Sequence, residues 1–595
     1  HLPKTLAGDG LEYVVVDDAH FKSTGFRSPE MRGFFMTEED GKYVKVFPID
    51  KKLRYLIPFS DPEETISYFR EIAGERGEGC KVAVLADDGE KFGLWTGTHD
   101  LCYEDNWLRR FCESILSNRD WLEVSTFSRA IDDFSPIGIV YLPTASYSEM
   151  MEWALPLPAQ ERYEEAEGLI ASSGTFDEPA EMVRGGFWRN FLVKYEESNW
   201  MHKRMLLVSE LVEKYGRDAG SDGVWKEARN HLYKAQCNCA YWHGLFGGLY
   251  LPHLRSAVFK HLVAAESLIE KKISHSKHFI DYYERDIDGD GVTEVVLSSH
   301  SMKAIFKLRG AALRELDLRE PAFNLTDTLT RREEIYHRRL DSITVGTKGG
   351  AEEALSIHNV SSVKEKGLDK RLVFDFHLRS SLLDHFIGGE VDLESFSRAR
   401  YIERGDFLRG TYKLDVRKTA GKTLFVFERQ GKVDLAGQAA TVSVSKSFCL
   451  SPSSSEIEVH YAIKSVRGIL DCRFASESVF SLLAGKAPDR FFRFPDREVG
   501  DIYLESKGEE ESVGSFCIVD EWLNIEICLR LEPSALLWRF PIETISNSDS
   551  GFERIYQGSA VVPVWPLDPG EGKVSEFSIY ITVKKALDHG GVLPY

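Results

Sequence analysis

The sequence predicts a multidomain chain: an α/β part, then a helical bundle, then an all-β C-terminal half. Three observations predict it. Short apolar strands alternate with a helical stretch near the N-terminus. Apolar residues then recur at helical spacing between 145 and 277, and beyond 278 the period drops to two. The boundaries read this way are 1–144, 145–277 and 278–595, in keeping with about three to four domains for 595 residues.

In the first part, Glu12-Tyr13-Val14-Val15-Val16, Lys81-Val82-Ala83-Val84-Leu85 and Ile137 to Leu142 are runs of buried-strand type. Pro62 to Gly74, with Ile66, Tyr68, Phe69 and Ile72, reads as a helix. The first two strands run into acid, Asp17-Asp18 and Asp87-Asp88-Gly89-Glu90. The alternation predicts a parallel sheet or barrel, where ligands meet the loops after the strand C-termini. Segments 160–172, 199–216, 224–236 and 255–271 form the bundle, with Met201, Met205, Val208, Leu211 and Val212 on one face. Alternation at Ile457, Val459, Tyr461, Ile463 and at Phe577, Ile579, Ile581, Val583 predicts one or two β-sandwiches.

Composition removes several classes of function. Ninety-four acidic residues against 74 basic ones give a net charge of −20, which opposes general nucleic-acid binding. No run approaches the roughly 18 apolar residues of a membrane span. Nine scattered cysteines read as reduced thiols, and with no signal peptide after His1-Leu2-Pro3-Lys4 the expected location is cytoplasmic.

Three clusters carry candidate chemistry. Asp87-Asp88-Gly89-Glu90-Lys91-Phe92-Gly93 presents carboxylates where a strand ends, suited to moving a proton at a glycosidic or ester oxygen; a solvated Asp-Gly turn is the plain alternative. Gln236 to Gly248 crowds Cys237, Cys239, Trp242, His243 and glycines together. It reads as a sugar-stacking surface, as a weak zinc site on Cys237, Cys239 and His243, or as core packing around two buried thiols. Asp286, Asp288 and Asp290 alternate, with Gly291 at the sixth place of a calcium loop, and Leu297 stands where the twelfth-place acid belongs. The Val292 carbonyl and Glu294 complete the expected ligand set of one structural calcium.

These segments resemble glycoside hydrolase family 57, in particular its 4-α-glucanotransferases and α-amylases. Tyr13 to Phe21, Val46 to Asp50, Leu53 to Phe59, Asp87 to Gly93, Val183 to Trp188, Ala235 to Gly244, Leu251 to Arg255 and Trp538 to Ile542 carry the resemblance. It implies the remainder of an incomplete (β/α)7 barrel, a helical bundle completing the active site, and C-terminal β-sandwiches. It implies a retaining double displacement on α-1,4-glucans and maltooligosaccharides with no catalytic cofactor, and a homodimer is among the assemblies expected. By motif Asp88 is the general acid and base, with Glu90, Trp95, Trp242 and His243 in substrate binding. The family's glutamate nucleophile belongs upstream of the strand beginning near Tyr13, and His1 to Leu11 contains no glutamate, so the chain is expected to be inactive alone. The resemblance implies a 4-α-glucanotransferase, with an α-amylase of the same family or a catalytically silent glucan-binding fragment as the alternatives. Cys239 stands where the family motif has an aspartate.

Overall fold

The structure is a computed structural model. It describes residues 2–75, 81–95, 97–173, 184–219, 222–244, 247–273, 280–342, 364–419, 422–435, 438–450, 455–548, 551–568 and 570–586. Val183, Leu245 and Phe246 of the motifs above lie outside them.

Near the N-terminus, β1 (Tyr13–Val16) pairs in parallel with β3 (Lys42–Pro48), and β2 (Phe35–Glu39) pairs antiparallel with β3. The sheet is therefore mixed rather than parallel. The cause is local: Asp40 and Gly41 have φ of 50° and 72°, a two-residue turn that returns the chain directly as a hairpin. The Lys81 to Leu85 run does not form a strand. It is held by the Val82 N–H on the Arg32 carbonyl (3.3 Å) and by Val84, whose carbonyl accepts from Asp50 (2.9 Å). The expected strand Ile137 to Leu142 is likewise reduced to an isolated parallel bridge, Met36 to Ile139. The helix Pro62–Gly74 follows the reading: Asp61 caps it at Glu63 N–H (3.0 Å), Pro62 occupies the first turn, and Ile66, Tyr68 and Ile72 are buried.

The helices Leu157–Ser173, Glu196–Ala219, Gly223–Ala235 and Pro252–Ile273 form the helical part. The last three pack around Met201, Val208, Val212, Ala228, Leu232 and Leu262, the 3.6-residue stripe visible in the sequence. Beyond them lie two antiparallel sheets. One has five strands in sequence order, β4 (Ile280–Arg285), β5 (Glu294–Ser299), β6 (Met302–Lys307), β7 (Ala312–Leu318) and β8 (Phe323–Asn324). The other has eleven, from Leu383–Ile387 to Val574–Lys584. They share one apolar core, in which Phe306 meets Phe448 at 4.2 Å between ring centroids.

Buried charge joins these parts. Arg204 of the helix Glu196–Ala219 reaches Glu315 (2.7 Å) and Asp317 (3.5 Å) on β7, and Glu266 (3.1 Å) on the helix Pro252–Ile273. Arg255 reaches Asp327 (3.1 Å) and the side-chain oxygen Oε1 of Gln557 (3.0 Å), and the Gln557 side-chain amide Nε2 donates to the Tyr250 carbonyl (2.8 Å). Among the described cysteines, Cys517 and Cys528 form a disulfide, contrary to the reading of reduced thiols. The register of the neighbouring strands Gly508–Asp520 and Ile525–Ser548 places the two residues opposite each other, a pairing invisible from spacing alone. No described helix is long and apolar enough to cross a membrane.

Candidate active site

The acidic turn is built on one buried carboxylate. Asp87 has a side chain only 3 % exposed, ion-paired with Lys91 and with Arg54 (Nε to Oδ1, 3.2 Å). Its Oδ1 also accepts from the Asp88 N–H at 3.0 Å. Lys91 closes the arrangement by donating to the Arg54 carbonyl, and burial pulls its pKa down even against the attraction of Asp87. Asp87 is thus spent on holding the turn. Asp88, the next residue, points out at 60 % exposure, with Arg54 Nη2 at 3.9 Å. Of the two, only Asp88 has a carboxylate free to meet a ligand.

Aromatic rings surround the turn. Phe59 and Trp95 stack at 6.4 Å, and the Lys91 ammonium lies 5.2 Å and 5.7 Å from their ring centres. Glu90 is exposed, and its carbonyl accepts the N–H groups of Leu94 and Trp95, which fixes Trp95 beside it.

A second set of acids stands at the end of β1. Asp17 accepts the Ala19 N–H at 3.0 Å, and Asp18 pairs with Lys22 at 3.1 Å. Burial pushes Asp18 up to about 6, a rise that Lys22 opposes and Asp17 reinforces. The segment 146–149 brings Tyr147 into the field of Asp88 and Asp17. Its hydroxyl is held well above the usual phenol range by burial first and then by Glu149, with Arg54 opposing. Lys51 donates to Ser148 (3.1 Å) and Glu149 (3.2 Å). The paired glycines of the Arg184-Gly185-Gly186 motif make this possible. A Cβ at Gly185 would stand 1.9 Å from the Ser146 carbonyl oxygen, and one at Gly186 would stand 2.7 Å from that of Met150.

Rings link this cleft to the helical part. Tyr147 meets Trp153 edge-on at 6.0 Å, and Trp153 stacks on Trp242 at 5.7 Å. His243 is buried behind them: Nδ1 donates to the Gly247 carbonyl (2.7 Å) and Nε2 accepts from the Tyr336 hydroxyl (2.9 Å). Burial pulls its pKa down to about 4 despite the nearby charge of Glu334, so the imidazole is neutral at pH 7. It lines a cavity of about 50 Å³ with Trp153, Lys194, Tyr195 and Glu334, room for a water or two rather than a sugar ring. A larger cavity of about 550 Å³, lined by Thr24, Phe26, Glu30, Arg32, Lys81 and Ile137, includes none of the acids of the turn.

Both alternatives for the cysteine cluster fail. Cys237 and Cys239 are exposed rather than buried, and His243 has both ring nitrogens engaged, leaving none for zinc.

In the acidic loop, ligand atoms of Asp286, Asp288 and Glu294 lie within 4.8 Å of one another. Asp286 accepts the N–H groups of Gly289 (2.8 Å) and Gly291 (3.0 Å), and the Glu294 Oε2 accepts that of Ile287 (2.7 Å). The other oxygen of Glu294 is buried without a hydrogen bond, and burial raises this carboxyl to about 7. Asp290 is joined by Lys307, which also reaches Asp288 and lies 3.8 Å from Glu294. The Val292 N–H donates to Asp290 at 2.8 Å.

Comparison with known proteins matches the whole chain. An α-amylase of Dictyoglomus thermophilum is 38% identical over 586 residues, 98% of this chain and 81% of the relative. The chain belongs to glycosyl hydrolase family 57. Family models match in order: glycosyl hydrolase family 57 at residues 1–143, the α-amylase/4-α-glucanotransferase middle domain at 186–269, and the C-terminal domain at 286–578. A 4-α-glucanotransferase of Thermococcus kodakarensis is 37% identical, covering 95% of this chain and 78% of its own length. The crystal structure of the Thermococcus litoralis 4-α-glucanotransferase aligns with a TM-score of 0.80 at 32% identity, over 98% of this chain and 79% of that one. On this family-57 framework Asp88 falls in the first matched region, Trp242 and His243 in the second, and the acidic loop opens the third. Asp18, Arg54, Tyr147 and Glu149 were not candidates from sequence. Asp18 carried a signal, an acidic pair directly after a strand, whereas the other three join the cleft only through tertiary packing.

Proposed function

We propose that this protein is a 4-α-glucanotransferase that acts on α-1,4-glucans by retaining double displacement, with Asp88 as general acid and base. The observation that carries the reading is the division of labour between neighbours: Asp87 is buried between two cations, and Asp88 beside it is exposed. In the first step Asp88 protonates the glycosidic oxygen as the bond to the sugar breaks. In the second its carboxylate takes the proton from an incoming sugar hydroxyl. Trp95, Glu90 and Trp242 would hold sugar faces and hydroxyls. His243, neutral and enclosed, would support the wall behind Trp242. Double displacement also needs a nucleophilic carboxylate, a role this reading gives to no residue of the 595. α-Amylase activity is the second reading, favoured by relatives that carry that name. Maltoheptaose and protein expressed from the whole gene distinguish them. Transfer gives lengthened products, whereas glucose and maltose alone indicate the hydrolase. Asp88→Asn lowers kcat by about 10²–10⁴-fold, and an unchanged kcat removes Asp88 from the mechanism.

We further propose one structural calcium at residues 286–294, held by Asp286, Asp288, Asp290, Glu294 and the Val292 carbonyl. The buried oxygen of Glu294 that makes no hydrogen bond, with Lys307 no nearer than 3.8 Å, supports it. So does the charge: three carboxylates, Asp288, Asp290 and Glu294, face Lys307, with Asp286 beside them and Arg309 3.7 Å from Asp290. The ion would pin the entry to β5. Calcium then raises the melting temperature of the wild type and not of Asp288→Ala; a melting temperature indifferent to chelation reduces the loop to an acidic turn.

A further inference from the structure

The eleven-stranded sheet buries a group of side chains that none of the above uses. His377, His385 and Glu477 are all buried and offer ligand atoms within 4.8 Å of one another. His385 lies on the strand Leu383–Ile387, and Glu477 lies on its antiparallel neighbour Arg473–Phe480. His377 comes from the segment leading into the first of these.

Three details distinguish this group from a simple ion pair. Both Nε2 atoms stand 3.2 Å from the same oxygen, Glu477 Oε2. The His385 Nε2 has no hydrogen-bond partner, although the side chain is fully enclosed. Its other nitrogen, Nδ1, faces the Glu403 carboxylate at 2.9 Å, with the Tyr401 hydroxyl at 3.0 Å. With Nδ1–H donating to Glu403, Nε2 presents its lone pair toward Glu477 and His377. Arg379 holds the remaining oxygen of Glu477 at 2.5 Å and Asp375 beside it.

We propose that His377, His385 and Glu477 bind a divalent transition-metal ion, zinc foremost, as a structural pin in this sheet. Two imidazoles and a carboxylate are borderline ligands of the kind zinc prefers over calcium or magnesium. Zinc–nitrogen and zinc–oxygen bonds of about 2.0–2.1 Å place tetrahedral ligands about 3.3 Å apart, close to the two 3.2 Å separations here. Glu403 supplies the carboxylate that orients a ligating histidine through its far nitrogen, and Arg379 orients Glu477. Charge agrees: Asp375, Glu403 and Glu477 exceed Arg331 and Arg379 by one negative charge. The ion ties the 377 segment to two strands.

The test uses the whole chain, stripped with chelator and returned to excess calcium so that the acidic loop is not the site observed. Zinc added back is expected to be retained at one equivalent after desalting, by elemental analysis. Cobalt(II) in its place gives the intense visible bands of a low-coordinate nitrogen and oxygen site. His377→Ala and His385→Ala abolish retention, Glu403→Gln weakens zinc binding ten- to a hundredfold, and Asp288→Ala leaves it intact. Zinc that does not bind, or that still binds the double variant His377→Ala/His385→Ala, overturns the proposal. Should the histidine variants fail to fold, the wild-type cobalt spectrum decides: only the weak absorption of octahedral cobalt refutes the site.

Discussion

Lowering the pH from 7 to 4 isolates the energetic effect of burying His243. Its nitrogens are engaged by Gly247 and Tyr336, and burial pulls its pKa to about 4, against about 6.5 in an unfolded chain. The unfolded state therefore takes up a proton between pH 6.5 and 4 that the folded state refuses. Stability falls as pH falls, and the contribution is regained above pH 6.5. At pH 4 protonation favours the unfolded chain by a factor of about 1 + 10^2.5, roughly 300, and the folded one by about 2. The ratio of roughly 150 is worth about 3 kcal/mol. Other groups titrate in the same window, so the measurement is a difference. Hydrogen exchange in the helices Gly223–Ala235 and Pro252–Ile273, corrected for intrinsic rates, is compared in wild type and His243→Asn. The wild type should lose roughly a hundredfold more protection than the variant between pH 7 and 4. Parallel curves would mean that His243 titrates as an exposed histidine does, and would refute the argument from burial.

Two further expectations follow from buried contacts. Arg204→Met strands Glu315 in the interior without its cation and leaves Glu266 with Lys303 alone, at a cost of about 3–5 kcal/mol; a thermal transition unmoved by the change would show that the network contributes nothing. Gly185→Ala forces a methyl against the Ser146 carbonyl and costs about 1–3 kcal/mol. Because that segment carries Tyr147 and Glu149, activity should fall with stability, and full activity in a stable variant would refute the coupling.

The sequence was most informative where a pattern stayed within one element. The burial of Val208 and Val212, or of Ile457, Val459 and Ile463, follows from periods of 3.6 and 2. Failure came where partners are distant or a short turn decides. Asp40-Gly41 reverses β2 and spoils an all-parallel sheet, and the dipeptide itself is a hairpin signal. The run 81–85 has a strand's composition without a strand's ladder. In the candidate site, Asp88 was legible as an acid after an apolar run, but its difference from Asp87 depends on Arg54, thirty-three residues earlier, and on Lys91. His243 looked like a ligand group in a motif of exposed-seeming polar residues, and only its enclosure by Tyr336 makes it part of the wall.

The contact between Arg255 and Gln557 spans 302 positions of chain, and that between Tyr250 and Gln557 spans 307. A ribosome must therefore synthesise half the protein after Arg255 has emerged before its guanidinium meets this partner. Its charged partner Asp327 follows only 72 positions later, so for most of that interval what is missing is the neutral amide of Gln557. The surroundings of Tyr250 and of His243 against it are thus among the last features of the molecule to become final, and a chain released before the last strands are made would have the motif residues without these contacts.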